Sequence, residues 1–297
     1  IASGKTITAG GAVTLIGADY GLVGSISGGS NNITIGQSAA GTLALGAATS
    51  SILTDTELDN ISTTGTLTIG QATTKGSDGA GTSASTITSG AITLDELTLG
   101  SKNVTLVSSS TINDDDDTGT AITTTGTLTL TSGAAIGGSG GSQGLDTDVG
   151  TLAITGTGSG NVTVTEASGL VLGATTVGGN FAGTATTGNI TDTGALAITG
   201  TTTLVTSAND ATITLNNTGN AFTGAITITT NDASGTDADV VIDGGTTALQ
   251  IAASTVDGDL TLTTGNASGI TDTGTVTVGG NLVATTDANN GVINLDQ

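Results

Sequence analysis

Ile190-Thr191-Asp192-Thr193-Gly194-Ala195-Leu196-Ala197-Ile198 decides the fold, because the same phrase returns as Ile270-Thr271-Asp272-Thr273-Gly274-Thr275-Val276-Thr277-Val278. Two earlier copies read Ile61-Ser62-Thr63-Thr64-Gly65-Thr66-Leu67-Thr68-Ile69 and Ile122-Thr123-Thr124-Thr125-Gly126-Thr127-Leu128-Thr129-Leu130. The steps between their first residues are 61, 68 and 80. These approach three, three and four multiples of about 20–23 residues, a period that belongs to stacked coils rather than to a globule. A second match, Leu172–Phe181 against Ile251–Leu260, has an offset of 79 and leads into the same phrase. The C-terminal half therefore reads as a superrepeat of about four coils.

Within these phrases and between them, the local period is two. Leu43-Ala44-Leu45, Ile92-Thr93-Leu94, Val104-Thr105-Leu106, Ile213-Thr214-Leu215, Ile226-Thr227-Ile228 and Leu260-Thr261-Leu262 alternate an apolar residue with a small one, mostly Thr. That alternation describes a strand with one face buried. Gly and Asn punctuate the runs, as in Gly160-Asn161, Asn216-Asn217 and Gly279-Gly280-Asn281. Both residue types suit tight corners. Insertions rich in Gly and Ser at 76–85 and 137–144 read as loops leaving the coil. The expected fold is all-β, a parallel β-helix or β-solenoid with coils of about 20–23 residues. Residues 1–297 read as one continuous solenoid segment, a fragment of a longer chain, because strand-like phrases lie close to both ends.

Composition agrees. The 297 residues hold no Pro, Cys, Met, Trp or His, and the aromatics are Tyr20, Phe181 and Phe222. A thick globular core needs large side chains, whereas a narrow stack of Ile, Leu and Val does not. A proline in a paired strand would remove a ladder hydrogen bond, so its absence fits a chain made of strands. The β-branched content argues against disorder. The formal charge of −22, from 25 acidic residues against Lys5, Lys75 and Lys102, opposes binding to nucleic acid or to anionic membrane. Nor is there an apolar run of the roughly 18 residues that span a bilayer. The expected partners are copies of the chain, flanking repeats of the same chain, or cell-surface ligands.

Chemistry-bearing constellations are sparse. Asn113-Asp114-Asp115-Asp116-Asp117 is the densest acidic run, and carboxylates are calcium ligands. Successive strand residues point to opposite faces, so four in a row converge only around a turn. A solvated loop is the better reading, and calcium is the one cofactor considered. The pairs Asp146/Asp148 and Asp237/Asp239 would each place two carboxylates on one side of a strand. Seven Asn-x-Ser/Thr sequons, at Asn32, Asn60, Asn103, Asn161, Asn189, Asn216 and Asn266, read as corner Asn followed by outward Thr rather than as glycosylation sites. Thr-x-Thr phrases such as Thr66-Leu67-Thr68 suggest an ice-binding face. That use requires ranks aligned coil upon coil, which variable coil lengths argue against. Without His or Cys, the commonest general base and the thiol nucleophile are missing. No catalytic, cofactor-binding or metal-binding residue is assigned, and the chain is expected not to be an enzyme.

From about residue 150 to 297 the chain resembles the repeats of giant bacterial surface proteins of the filamentous-haemagglutinin type. The phrases Val177-Gly178-Gly179-Asn180, Ile190-Thr191-Asp192-Thr193-Gly194, Ile213-Thr214-Leu215-Asn216-Asn217 and Asn220-Ala221-Phe222-Thr223-Gly224 carry the resemblance. It implies a right-handed parallel β-helix, secretion to the bacterial cell surface, and a role in adhesion or fibre building. The family's secretion module carries Asn-Pro-Asn-Gly, which a proline-free chain does not contain. The expected function is a structural segment of an extracellular filament or adhesin stalk. The alternatives are an adhesin module binding ligand through loops such as 137–144, and a carboxylate-dependent polysaccharide-degrading β-helix.

Overall fold

The computed structural model describes residues 1–46, 52–74, 85–115, 119–138, 144–231, 237–287 and 290–296. They belong to two compact units, Ile1–Gly150 and Thr151–Gln297. Each unit is a β-solenoid of short strands paired in parallel.

In the second unit, from Ile190 onward, most strands lie beside the strand three further along; Ile226–Thr229 spans two, pairing with both Leu249–Ile251 and Ser254–Val256. Ile190–Asp192 pairs with Ile213–Leu215, which pairs with Val240–Asp243, then Leu260–Thr264, then Leu282–Thr286. Thr202–Thr206 pairs likewise with Ile226–Thr229, and Ser254–Val256 with Val276–Val278. Three strands thus close a coil, and the fourth begins the next layer. The alternation sets which residues enter. Val162–Glu166 and Thr202–Thr206 bury their first, third and fifth residues and leave the second and fourth partly exposed. Leu170, Ile190, Ile213, Val240 and Leu260 form one fully buried column, joined by backbone ladders along their strands. Each such side chain contributes about 1.5–3 kcal/mol on full burial.

The coil step is not constant. It is short where Val162 pairs with Phe181 and much longer where Ile213 pairs with Val240. The strands nevertheless stay in register across both steps. This variation corrects the expected four-coil superrepeat. Strands starting at Ile190, Leu196, Thr202, Ile213, Ala221, Ile226, Val240, Leu249, Ser254 and Leu260 precede the one at Ile270. Ten strands at three per coil make about three and a third coils, so equivalent phrases lie on successive faces. Residue counting missed this because it assumed coils of about 20–23 residues throughout.

Both phenylalanines are buried at 1% exposure, and Gly183 makes room for one of them. A Cβ on Gly183 would lie 2.9 Å from the Phe181 ring and 2.9 Å from Leu170.

The first unit follows the same plan with larger excursions. Val13–Gly17, Ile33–Gln37, Thr66–Ile69, Asn103–Val107 and a stretch of Ile122–Thr131 stack in order. Their register column runs Val13, Ile33, Leu67, Val104, Leu128, with the longest intervals on either side of Leu67. One excursion carries the five-residue helix Asp55–Asp59, closed by a Thr54/Glu57 capping box. Another is an antiparallel hairpin, Gln71–Thr74 against Ser85–Thr88, whose arms flank the expected loop at 76–85 and take in its last residue. Residues 76–84 of that expected loop, and 139–143 of the one at 137–144, lie outside the described residues.

Candidate functional site

The recurring phrase is a corner at which one coil grips its predecessor. In all four copies the Thr before Gly donates its backbone N–H to the previous coil: Thr64 to Gly29, Thr125 to Gly100, Thr193 to Leu172 and Thr273 to Ile251, at 2.7–2.8 Å. The glycine is required by close approach. A Cβ on Gly65 would meet the Asn31 carbonyl oxygen at 2.8 Å, and one on Gly126 the Lys102 carbonyl oxygen at 2.5 Å. On Gly194 it would meet the Ala174 nitrogen at 2.3 Å, and on Gly274 the Ala253 nitrogen at 3.0 Å. In the first unit the preceding residue clamps backward: Thr124 donates to the Lys102 carbonyl at 2.7 Å and accepts the Gly126 N–H. In the second unit an aspartate at that position clamps forward. Asp192 accepts the backbone N–H groups of Asn216 and Asn217 at 3.1 and 3.2 Å, and the Asn220 Nδ2 at 2.8 Å. Asn220, itself 1% exposed, accepts the Leu196 N–H at 2.8 Å.

The sequon asparagines serve the same purpose. Asn32, Asn103, Asn161 and Asn189 accept through Oδ1 the N–H of Thr66, Thr127, Asn180 and Thr212, each one coil on, at 2.8–2.9 Å. Asn60 donates both Nδ2 hydrogens, to Leu22 and Thr56, and Asn266 donates to the Thr246 carbonyl. The residue two positions after the corner then enters an outward row, as Thr34, Thr105 and Thr163 do. Corner chemistry followed by strand alternation accounts for the sequon pattern.

Several carboxylates are likewise bound to backbone. Glu57 accepts the Leu22 N–H, Asp55 that of Thr98, Asp243 that of Gly245, Asp239 that of Asp259, and Asp259 that of Asn281. Asp146 and Asp148 share the outward side of Leu145–Gly156, as expected. Asp237 and Asp239 do not lie in a strand; they form the approach to Val240–Asp243. In the acidic run, Asn113 and Asp114 end the strand Ile112–Asp114 and Asp115 follows it, while Asp116 and Asp117 lie outside the described residues. Among the described residues no three His, Cys, Asp or Glu side chains converge as metal ligands.

Threonine alignment is the feature sequence reading undervalued. In the first unit Thr14, Thr34, Thr68, Thr105 and Thr129 are register partners in succession, an unbroken row. In the second unit two rows run side by side. One is Thr163, Ala182, Thr203, Thr227; the other is Thr165, Thr184, Val205, Thr229, Thr255, Thr277. Coils of unequal length still bring their threonines into line.

A cleft of 570 Å³ in the first unit is lined by Asp19, Tyr20, Leu22, Val23, Thr54, Thr56, Glu57 and Asn60. Glu57 and Asn60 hold the helix to the coil there, through Leu22 N–H to Glu57 and Asn60 Nδ2 to the Leu22 carbonyl. Burial pushes the Tyr20 phenol above its ordinary value, partly offset by backbone hydrogen bonds at Gly17 and Gly36.

Residues 159–229 and 237–297 each match a family model described as repeats of unknown function (DUF5649). The starts of the two matches, at 159 and 237, lie 78 residues apart, close to the 80-residue offset between the phrases at Ile190 and Ile270. No curated protein and no solved structure matches the chain. The chain is a β-solenoid repeat protein.

Proposed function

We propose that this chain is a non-catalytic structural segment of an extracellular bacterial filament or adhesin stalk, of the filamentous-haemagglutinin type. The observation that carries the reading is the use made of its polar groups. Asp192, Asp239, Asp259, Asn103 and Asn161 all bind backbone N–H groups of a neighbouring coil. A carboxylate held this way fixes coil spacing and is a poor general base, which needs reach to a substrate proton. Stacking of this kind also propagates: each coil presents the same paired edge to the next, so length grows with repeat number. The surface charge of −22 keeps a long assembly soluble. No cofactor is needed, and the partners are flanking repeats or further copies.

Electron microscopy at low salt, with calcium added or chelated, tests the reading. Uniform thin fibres repeating at about 4.8 Å along the axis are expected. Compact single particles under every condition would overturn it. Loss of fibres on chelation would overturn its cofactor-free part.

A further inference from the structure

The paired threonine rows of the second unit form a two-dimensional array. Along each row the partners are one strand apart, about 4.8 Å, and across the rows they are two residues apart, about 6.6 Å. The longer row, Thr165 to Thr277, covers five coil steps, about 24 Å at that spacing. Every position in both rows carries a methyl group, and Thr occupies all but Ala182 and Val205. The positions are partly or fully exposed. Among the described residues the hydroxyls of Thr163, Thr184, Thr203, Thr227, Thr229, Thr255 and Thr277 make no hydrogen bond to protein.

This array narrows the occupant by its chemistry. It contains no charged side chain, so it offers nothing specific to an ion. It contains no aromatic ring on which a sugar would stack. A second copy would bring another strongly acidic surface, which long-range repulsion disfavours. What the array does offer is a rigid lattice of hydroxyls and methyls, the hydroxyls accepting and donating to water while the methyls order the water between them. Ice repeats in its surface planes at spacings of the same size. We infer that the Thr163–Thr277 face of the second unit binds ice, through ordered water held on the paired rows.

The test is thermal hysteresis and ice recrystallisation inhibition on the full chain. The first substitution is Thr203→Lys, at the centre of the face. The control is Thr214→Lys, an outward residue on the neighbouring face, in the row Thr191, Thr214, Val241. Circular dichroism and gel filtration confirm that each variant is folded. The unaltered chain and Thr214→Lys are expected to shape ice and open a gap between melting and freezing. Thr203→Lys should fall to the level of buffer. Absence of a gap in the folded unaltered chain overturns the inference. So does equal activity in the two variants, or equal loss in both. Fibre formation is read separately, so failure here leaves the structural reading standing.

Discussion

Removing the Asp192 carboxylate should destabilise the second unit through one identifiable bond. Asp192→Ala takes the acceptor from three donors, and they differ in what happens next. The N–H groups of Asn216 and Asn217 lie at an exposed or partly buried corner and exchange their bonds for water at little net cost. Asn220 is 1% exposed, so its Nδ2 loses its partner with no water to replace it. A buried donor left unsatisfied costs about 1–3 kcal/mol, and a hydrogen bond to a charged group contributes about 1.5–3 kcal/mol. The expected loss is therefore about 2–3 kcal/mol, equivalent to roughly 30- to 150-fold in a local opening equilibrium. Asn220→Ala alone also deprives the Leu196 N–H of its acceptor, so single variants do not isolate the pair. A double-mutant cycle does, and should give a coupling of about 1.5–3 kcal/mol. Because solenoid stability is close to a sum of nearest-neighbour terms, native-state hydrogen exchange at Leu196 and Asn217 is the suitable assay. A coupling below about 0.5 kcal/mol, the range in which independent sites simply add, would refute the forward clamp.

Glycines in the repeated phrase should be far less tolerant than those elsewhere. Gly194→Ala forces coils apart at the Ala174 nitrogen and should cost more than about 2 kcal/mol, whereas Gly10→Ala, with no atom within 4 Å, should change stability by less than about 0.5 kcal/mol in urea unfolding. Removing residues 190–269 deletes one ten-strand superrepeat, places Ile270 where Ile190 pairs with Leu170, and should leave a folded, shorter unit by circular dichroism. Ending the same deletion at 253 sets Ser254 opposite Leu170, throws the Thr-Gly corner out of step, and should abolish cooperative unfolding. Tyr20 predicts a pH effect. Its phenol is raised above about 10, so the neutral form contributes stability that is complete below that pH and is lost as pH rises through the folded value. With one tyrosine and no tryptophan, phenolate absorbance follows that group alone, and Tyr20→Phe should remove the alkaline loss.

The strand pattern was legible because burial alternates wherever Ile, Leu or Val alternates with Thr, as at Ile213-Thr214-Leu215. The phrase ending in Thr-Gly was legible as a repeat, though not as a corner: the need for Gly194 comes from Ala174, in the preceding coil, and no local rule reports that contact. The superrepeat was miscounted because the step from Ile213 to Val240 is much longer than that from Val162 to Phe181. Alignment of the threonine rows stayed hidden for the same reason. The helix Asp55–Asp59 did leave a signal, Thr54 three residues before Glu57, which strand-seeking alternation passed over. The hairpin arms Gln71–Thr74 and Ser85–Thr88 are rich in Ser and Thr and hold one large apolar residue, Ile87, so alternation gave no signal for them.

Coils of unequal length stack in fixed register, three strands to a coil. Cysteine pairs test this stacking directly, since the chain has no cysteine of its own. Thr203 and Thr227 are register partners on adjacent coils, while Thr203 and Thr229 are offset by two residues. Neighbouring strands lie about 4.8 Å apart, within the Cα separation of about 4.4–6.8 Å that a disulfide accepts. Mild oxidation should close the 203–227 disulfide nearly completely and leave the 203–229 pair reduced. Equal closure of both pairs, or closure of neither, would contradict the stacking on which the structural role and the threonine face both rest.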